Sequence, residues 1–507
     1  MASPHYTELL NAALADIGDG VAVADVTGEL YSGHALRQRI ETLASLLRSL
    51  GLGRGDGLVQ LAANRVDAFA IMAACLRAGI RYTPLHPLGS LAQQQFVIED
   101  SGAKLLVVDS EAFTERGVAL ASGFPELAVV TLAEAHFGEY LGDLLADRPW
   151  LDEQPAGEDI AWVSYTGGTT GDPKGVVHTQ AGMGAIAEMA RAAWEFPENP
   201  HFLASSPISH AAGFLVLPVL MLGGRVSLLP AFSPESVIRA VENEGVNTLF
   251  LVPSMIYAIL DHPNVDQRDL SNLEHIIYAS APIAPERLRD ALHLFGPILH
   301  QCYGQTESIH ITCMAPHEHN PAVPRRLESA GRATPGMSVS VVDASGASLP
   351  PGEVGEIVVS GPSVLQGYWQ RPEASAQALQ SGWLHTGDVG FMDDAGFLFI
   401  VDRLKDMIIS GGFNVYSRDV EQALMKHDSV EAAAVVGLPD KKWGECVHAL
   451  VVLKPDSSCS AEELLGFVKA HAGSLLTPKS LEFGAALPLT NLGKVDKKAI
   501  KLRLSAA

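Results

Sequence analysis

The chain has 507 residues, 47% of them hydrophobic, which allows large buried cores and is too long for one ordinary domain. Its formal charge of −23 argues against nucleic acid or an anionic membrane as the main partner, since both need a basic face. Five cysteines, at Cys75, Cys302, Cys313, Cys446 and Cys459, show neither paired disulfide spacing nor a CxxC metal pattern, so a reduced cytoplasm is the expected location.

Met1 to Gly20 lacks the basic start and continuous apolar core of an export signal, and no apolar run reaches the ~20 residues of a membrane helix. From Gly57 to about Leu132, short apolar runs (Leu58 to Leu61, Lys104 to Val108) alternate with helical patterns such as Val66 to Ala78, the signature of βαβ units and a parallel sheet. Ile160 to Tyr165 reads as a buried strand. Ala211 to Leu222 reads as a buried helix carrying Pro218. Strands are expected at Arg225 to Leu229, Thr248 to Val252 and His275 to Ala279, separated by helices that begin near Pro234, Pro253 and Pro285. Beyond Ser329 the pattern becomes glycine-punctuated and β-rich, as in Ser338 to Val342 and Gly355 to Ser360. After Arg403 a helix (Ser417 to Lys426), two strands (Ala432 to Val436, Val447 to Leu453) and a second helix (Ala461 to Ala470) make a compact α+β domain. The fold class is therefore α/β: a large N-terminal domain, 1–403, with two α/β sheet subdomains plus a β-rich subdomain, and a small α+β domain, 404–507.

The most informative stretch follows the strand at Ile160. Ser164-Tyr165-Thr166-Gly167-Gly168-Thr169-Thr170-Gly171-Asp172-Pro173-Lys174-Gly175 packs hydroxyls, glycines and one lysine behind an apolar run. The glycines let backbone N–H groups turn toward an anion, Thr166, Thr169 and Thr170 offer donors, and Lys174 supplies charge. Asp172 and Pro173 separate the last loop glycine from the lysine, so this is not a Walker A loop. A surface turn rich in glycine and threonine is the alternative.

Further segments fall in a matching order: Ser206-Pro207-Ile208-Ser209-His210, Tyr303-Gly304-Gln305-Thr306-Glu307, Trp383-Leu384-His385-Thr386-Gly387-Asp388, Asp402-Arg403-Leu404-Lys405-Asp406 and Asn491-Leu492-Gly493-Lys494. With them, essentially the whole chain resembles the adenylate-forming superfamily of acyl-CoA synthetases, free-standing adenylation domains and firefly-type luciferases, and most of all a carboxylic acid–CoA ligase. The resemblance implies ATP, Mg²⁺ and CoA as cofactor and co-substrates, and a small-molecule carboxylic acid as partner. It also implies a mobile small domain with a hinge at Lys405. A homodimer is one assembly compatible with it.

The resemblance assigns roles residue by residue. Lys494 matches the lysine that bridges the carboxylate and the α-phosphate; charge alone does not single it out, because Lys497, Lys498 and Lys501 are close by. Glu307 is the Mg²⁺ ligand and Thr306 touches the α-phosphate from the same turn. Tyr303 offers a face to adenine, with the backbone of Ser280-Ala281-Pro282 on the other side of the base. Asp388 takes both ribose hydroxyls, a contact needing two acceptor oxygens, and Arg403 reinforces ribose or phosphate. His210 begins the wall between nucleotide and acid; without its motif, a lone histidine beside an apolar run reads as a core residue.

The acid pocket is expected from His210, Ala211, Ala212, Gly213 and Phe214, the Phe250 to Ser254 strand end, Ala279 to Pro282, and the turn from Gly304 to Ile309. These segments hold no Lys, Arg or Asp to meet a second charge, so the expected acid is an uncharged, apolar monocarboxylic acid, aryl or medium-chain. Gly411, Gly412 and Phe413 resemble the loop that lines a CoA tunnel. The chain departs from the ligase pattern where Phe413 replaces a glutamate, where Ser417-Arg418 replaces a proline-containing pair, and at Leu475-Leu476-Thr477-Pro478. An acceptor other than CoA, an amine or a separate carrier-protein thiol, is therefore the alternative.

Overall fold

The computed structural model describes residues 4–25, 28–146, 148–166, 173–410, 413–440, 443–455, 457–474, 476–490 and 495–505. The chain forms two compact units, Met1–Thr166 with Pro173–Val339 and Val359–Leu384, and Gly167–Asp172 with Ser340–Val358 and His385–Ala507.

The first unit is built on two sheets. One orders Arg332–Ala333, Ser308–Met314, Leu299–Gln305, His275–Tyr278, Thr248–Leu251, His201–Ala204, Arg225–Leu228, Val21–Asp25 and Leu30–Ser32 side by side, parallel in its centre and antiparallel at both edges. The other orders Gly367–Tyr368, Lys174–Thr179, Ile160–Thr166, Arg81–Pro84, Gly57–Leu61, Ala103–Val108, Ala128–Thr131 and Glu139–Tyr140. Strands buried on both faces need a continuous apolar run, and Gly57–Leu61 shows why: Leu58 joins one core while Val59 and Leu61 join another. The larger core is shared by both sheets, with Phe202, Phe250 and Ile277 from one and Tyr82, Leu105 and Trp162 from the other.

Local chemistry sets the helix ends. Pro234–Glu244, Pro253–Leu260 and Pro285–Phe295 each start with proline in the first turn, where its missing N–H costs nothing. Ser233 caps the first of these by accepting from the Ser236 N–H, and Gly245, at φ +70°, ends it in the left-handed conformation. The apolar helix spans Gly213–Met221, two residues shorter at its start than the pattern suggests. A Cβ on Gly213 would meet the Ile208 carbonyl oxygen at 1.9 Å, so the turn through His210 closes tightly before the helix can begin.

In the second unit, Val430–Asp440 and Gly444–Leu453 form a long antiparallel pair, backed by the helices Ser417–Met425 and Ala461–Ala472. Among the described residues no helix is long and apolar enough to cross a membrane.

Candidate functional site

The strand Ile160–Thr166 turns back into Lys174–Thr179, and the pairing of Thr166 with Lys174 closes the segment between them. Gly167, Gly168, Thr169 and Thr170 lie outside the described residues. Lys174 sits over the Tyr368 ring, its Nζ 5.0 Å from the ring centroid. The Tyr368 hydroxyl donates to Glu307 Oε1 at 3.0 Å. Burial, with the Glu307 carboxylate beside it, pushes that hydroxyl's pKa above the ordinary tyrosine range, so it stays a donor.

Thr306 and Glu307 are the two-residue turn of a hairpin in which Gln305 pairs with Ser308. The turn is pinned from behind. His178 Nε2 donates to the Thr306 carbonyl at 2.8 Å, and the Leu365 N–H donates to the Glu307 carbonyl at 2.7 Å. The structure thus brings Thr166, Lys174, Thr306 and Glu307 together. It adds His178 and Tyr368, which the sequence does not reveal: Tyr368 lies in a two-residue strand with no periodicity to read.

Ser280 leaves its strand at φ +75°, a conformation a non-glycine residue adopts only under local constraint. Tyr278 pairs with Gln301 in parallel register, so Ser280 and Tyr303 each lie two residues beyond that pair on neighbouring strands. Ala281 and Pro282 are exposed beside Ser280.

Of the residues expected to line the acid pocket, Ala211, Phe214, Ala279 and Ile309 pack on the core that contains Ala212, and Phe214 stacks on Trp162 with centroids 5.3 Å apart. Gly304 admits no side chain, since a Cβ there would lie 2.9 Å from the His310 amide nitrogen. His210 meets Ser209 Oγ through Nδ1 at 2.9 Å, and its ring stands edge-on to His86 with centroids 4.3 Å apart. Burial, then the neighbouring His86, lowers the His210 pKa to about 3, and burial lowers that of His86 to about 4. Asn64, 4% exposed, holds this loop. Its Nδ2 donates to the carbonyls of Ala204, Ser206 and Leu229 at 2.9, 2.8 and 3.0 Å, and its Oδ1 accepts the Ile208 N–H at 2.8 Å. In the sequence Asn64 reads only as a residue before a helix.

Both imidazoles are depressed below the usual 6.5, so they are neutral throughout the working range. The expected pH profile of kcat/KM from pH 5 to 8 therefore has no inflection near 6.5 that depends on His210. An inflection there in the native protein that disappears in His210→Phe would overturn this reading of the wall.

In the second unit, Asp388 and Arg403 pair across adjacent strands, with Arg403 Nε 3.2 Å from Asp388 Oδ1. The Thr386 hydroxyl donates to the Ile357 carbonyl and accepts the Asp388 N–H, which fixes this part of the strand Trp383–Met392, where Asp388 is 4% exposed. Lys405 is exposed in a turn closed by the Asp406 and Met407 N–H groups on the Arg403 carbonyl. Asp402 accepts from the Ser417 N–H and hydroxyl, and Arg418 donates to the Ile400 carbonyl. Ser417 and Arg418, one of the departures noted in the sequence, thus tie this helix to the strand before Lys405. Gly411, Gly412 and Lys494 lie outside the described residues. The backbone of Phe413 pairs with Ser410, and Leu489 pairs with Val495 on either side of the segment holding Lys494.

Residues 11–369 match the family described as AMP-binding enzyme, and residues 419–494 match the AMP-binding enzyme C-terminal domain. Among curated relatives, the medium/long-chain-fatty-acid–CoA ligase FadD8 of Mycobacterium tuberculosis is 40% identical over 93% of this chain and 85% of its own. The feruloyl-CoA synthase of an Amycolatopsis species is 37% identical over 92% of this chain and 93% of its own. Among solved structures, the amide bond synthetase McbA of Marinactinospora thermotolerans superimposes with a TM-score of 0.89 at 35% identity, over 98% of this chain and 99% of that one.

Proposed function

The chain belongs to the AMP-binding enzyme family, and from that membership we propose that it activates an uncharged, largely apolar monocarboxylic acid with ATP and passes the acyl group to CoA. A carboxylate oxygen attacks the α-phosphorus as the bond to the β-phosphate oxygen breaks, giving the acyl adenylate and pyrophosphate. The CoA sulfur then attacks the acyl carbon, gives up its proton, and AMP leaves.

The observation that carries this reading is the placement of Lys174, Tyr368 and Glu307 around one turn. Two anions must meet in the first step, so fixed positive charge and donors at that point supply most of the catalysis. Lys174, Thr166 and the loop with Gly167, Gly168, Thr169 and Thr170 hold the outer phosphates in this reading, and Thr306 addresses the α-phosphate. Tyr303 and Ser280 to Pro282 hold adenine, Asp388 and Arg403 the ribose, and Lys494 bridges carboxylate and phosphate.

Glu307 fits a hard cation: its Oε1 is engaged by Tyr368, and its Oε2 is a carboxylate oxygen of the kind Mg²⁺ takes beside phosphates and water. Bound there, Mg²⁺ supplies charge neutralisation for the phosphates. A division at 403/404 with a hinge at Lys405, and a tunnel lined by Gly411, Gly412 and Phe413, belong to the same proposal, as does a cytoplasmic location. All five cysteines are free, which supports that location.

One observation favours a second reading, transfer to an amine: the likeness to an amide bond synthetase, joined to the departures at Phe413 and Ser417-Arg418. The deciding experiment incubates the full chain with ATP, Mg²⁺ and aryl and C4 to C12 acids, with CoA or a panel of amines, and weighs the products. Thioesters are the expected result. Acyl adenylates that persist despite CoA but give amides with an amine would replace the first reading by the second.

A further inference from the structure

Alternation along the nine-stranded sheet fixes which residues share the face of the acid pocket. Phe250, Ile277 and Cys302 belong to the core with Ala279, Ile309 and Phe214, whereas Leu249, Leu251, Ile276, Tyr278 and Leu299 belong to a different core. Two residues earlier on the same face come His275 and His300, and the pairing of Ile277 with His300 places them on neighbouring strands. From Gly304 to His300 is four residues of strand, about 13 Å.

This end of the face is polar, and its polar atoms are unmet. His275 is 0% exposed, His300 2% and His310 5%. Both ring nitrogens of His275, both of His300, Nε2 of His310 and Nε1 of Trp194 have no hydrogen bond of full geometry, six of the sixteen such side-chain atoms among the described residues, although the Ile298 carbonyl lies beside the His300 ring. They form one run of ring contacts. Trp194 meets His310 at 4.3 Å and Phe196 at 6.3 Å, Phe196 meets His275 at 4.8 Å, and His275 meets His300 at 4.3 Å. Native structures rarely leave one buried group unpaired, and a concentration of six on or packed against one sheet face calls for a partner. His310 is held at φ +61° with its Nδ1 3.4 Å from Cys302 Sγ, a backbone conformation that bulky residues avoid.

We propose that His275, His300 and His310 form a polar floor to the acid pocket and determine specificity for an acid whose far end carries an uncharged hydroxyl, roughly 10 Å from its carboxyl carbon. The inference rests on the acid-activating function proposed above. A 5-(4-hydroxyphenyl)pentanoic acid or an ω-hydroxy C8 acid has that reach. Burial keeps all three rings neutral, lowering His300 to about 4, His310 to about 3 and His275 well below the usual value. A neutral imidazole has one donor and one acceptor, which a hydroxyl satisfies and a second carboxylate does not.

The test compares kcat/KM, from pyrophosphate release by the full chain, for two matched pairs: 5-phenylpentanoic against 5-(4-hydroxyphenyl)pentanoic acid, and octanoic against 8-hydroxyoctanoic acid. The expected result is a preference of at least about tenfold for the hydroxylated member of one pair, because a site built to bond a hydroxyl discriminates strongly against its absence. His275→Phe and His300→Phe then bring that ratio to about one or below. A wild-type ratio at or below one in both pairs overturns the proposal whether or not the variants fold, and so does a high ratio that both folded variants retain. If other acids of the panel release pyrophosphate and neither pair does, the specificity inference fails while the activation reading stands. If no acid releases pyrophosphate, that reading fails and takes this inference with it.

Discussion

Lys494→Ala is expected to slow acyl-adenylate formation about a thousandfold while leaving thioester formation from supplied acyl adenylate within roughly tenfold of the native rate. A unit charge about 4 Å from another at an effective dielectric of about 20 contributes on the order of 4 kcal/mol, and every ~1.4 kcal/mol is a factor of ten. The first half-reaction brings two anions together and needs that charge. The second does not in the proposed mechanism, where a mobile small domain carries the lysine away before the thiol attacks. The neighbouring Lys497 does not supply a ready replacement. Lys497 donates to the Ser417 hydroxyl and pairs with Glu421 at 2.9 Å, so its charge is already engaged within its own unit. Single-turnover release of pyrophosphate measures the first step, and thioester formation from synthetic acyl adenylate measures the second. Equal losses in both steps would reject the assignment to Lys494.

The parts of the fold legible in the sequence are those set by local chemistry. Proline at the first helical turn announced the helices at Pro234, Pro253 and Pro285, and all three begin there. Two strands, Ser338–Val342 and Gly355–Ser360, have the bounds their alternating and glycine-punctuated patterns suggest. What the sequence hides is contact between distant segments. Tyr368 reaches Glu307 across 61 positions, and Asn64 reaches Ile208 across 144. Neither separation leaves a trace in periodicity or composition.

The candidate site divides in the same way. Lys174, Thr306 and Glu307 stand out as motif members. Their supports, His178 behind the turn and Tyr368 beside the carboxylate, come from strands that meet only in three dimensions. The segments expected to line the acid pocket read as apolar because they hold no Lys, Arg or Asp, and Ala211, Ala212, Phe214 and Ile309 belong to or pack on one hydrophobic core. The histidines farther down the same face escape such a reading, since His275 is the first residue of its strand and His300 the second of its own, and both look like ordinary strand-end residues until register aligns them.

Glu307→Gln should cost about 10² to 10³ in kcat/KM for adenylation and raise the Mg²⁺ concentration needed for half-maximal rate, whereas Tyr368→Phe should cost less. The glutamine keeps the size of the side chain and an oxygen that can accept from Tyr368, so folding of the hairpin turn is preserved while the negative charge is lost. Tyr368→Phe does the opposite. It retains the ring beneath Lys174 and removes only the 3.0 Å hydrogen bond to Glu307. A hydrogen bond to a charged group contributes about 1.5–3 kcal/mol, which bounds that loss at roughly ten- to a hundredfold. If Glu307 acted merely as a structural acceptor for Tyr368, the two variants would fall together and neither would change the Mg²⁺ requirement. A larger loss in Glu307→Gln, with the Mg²⁺ dependence displaced, identifies the carboxylate charge as what the turn presents to the phosphates. Titrating pyrophosphate release against Mg²⁺ for the native chain and both variants decides between these outcomes.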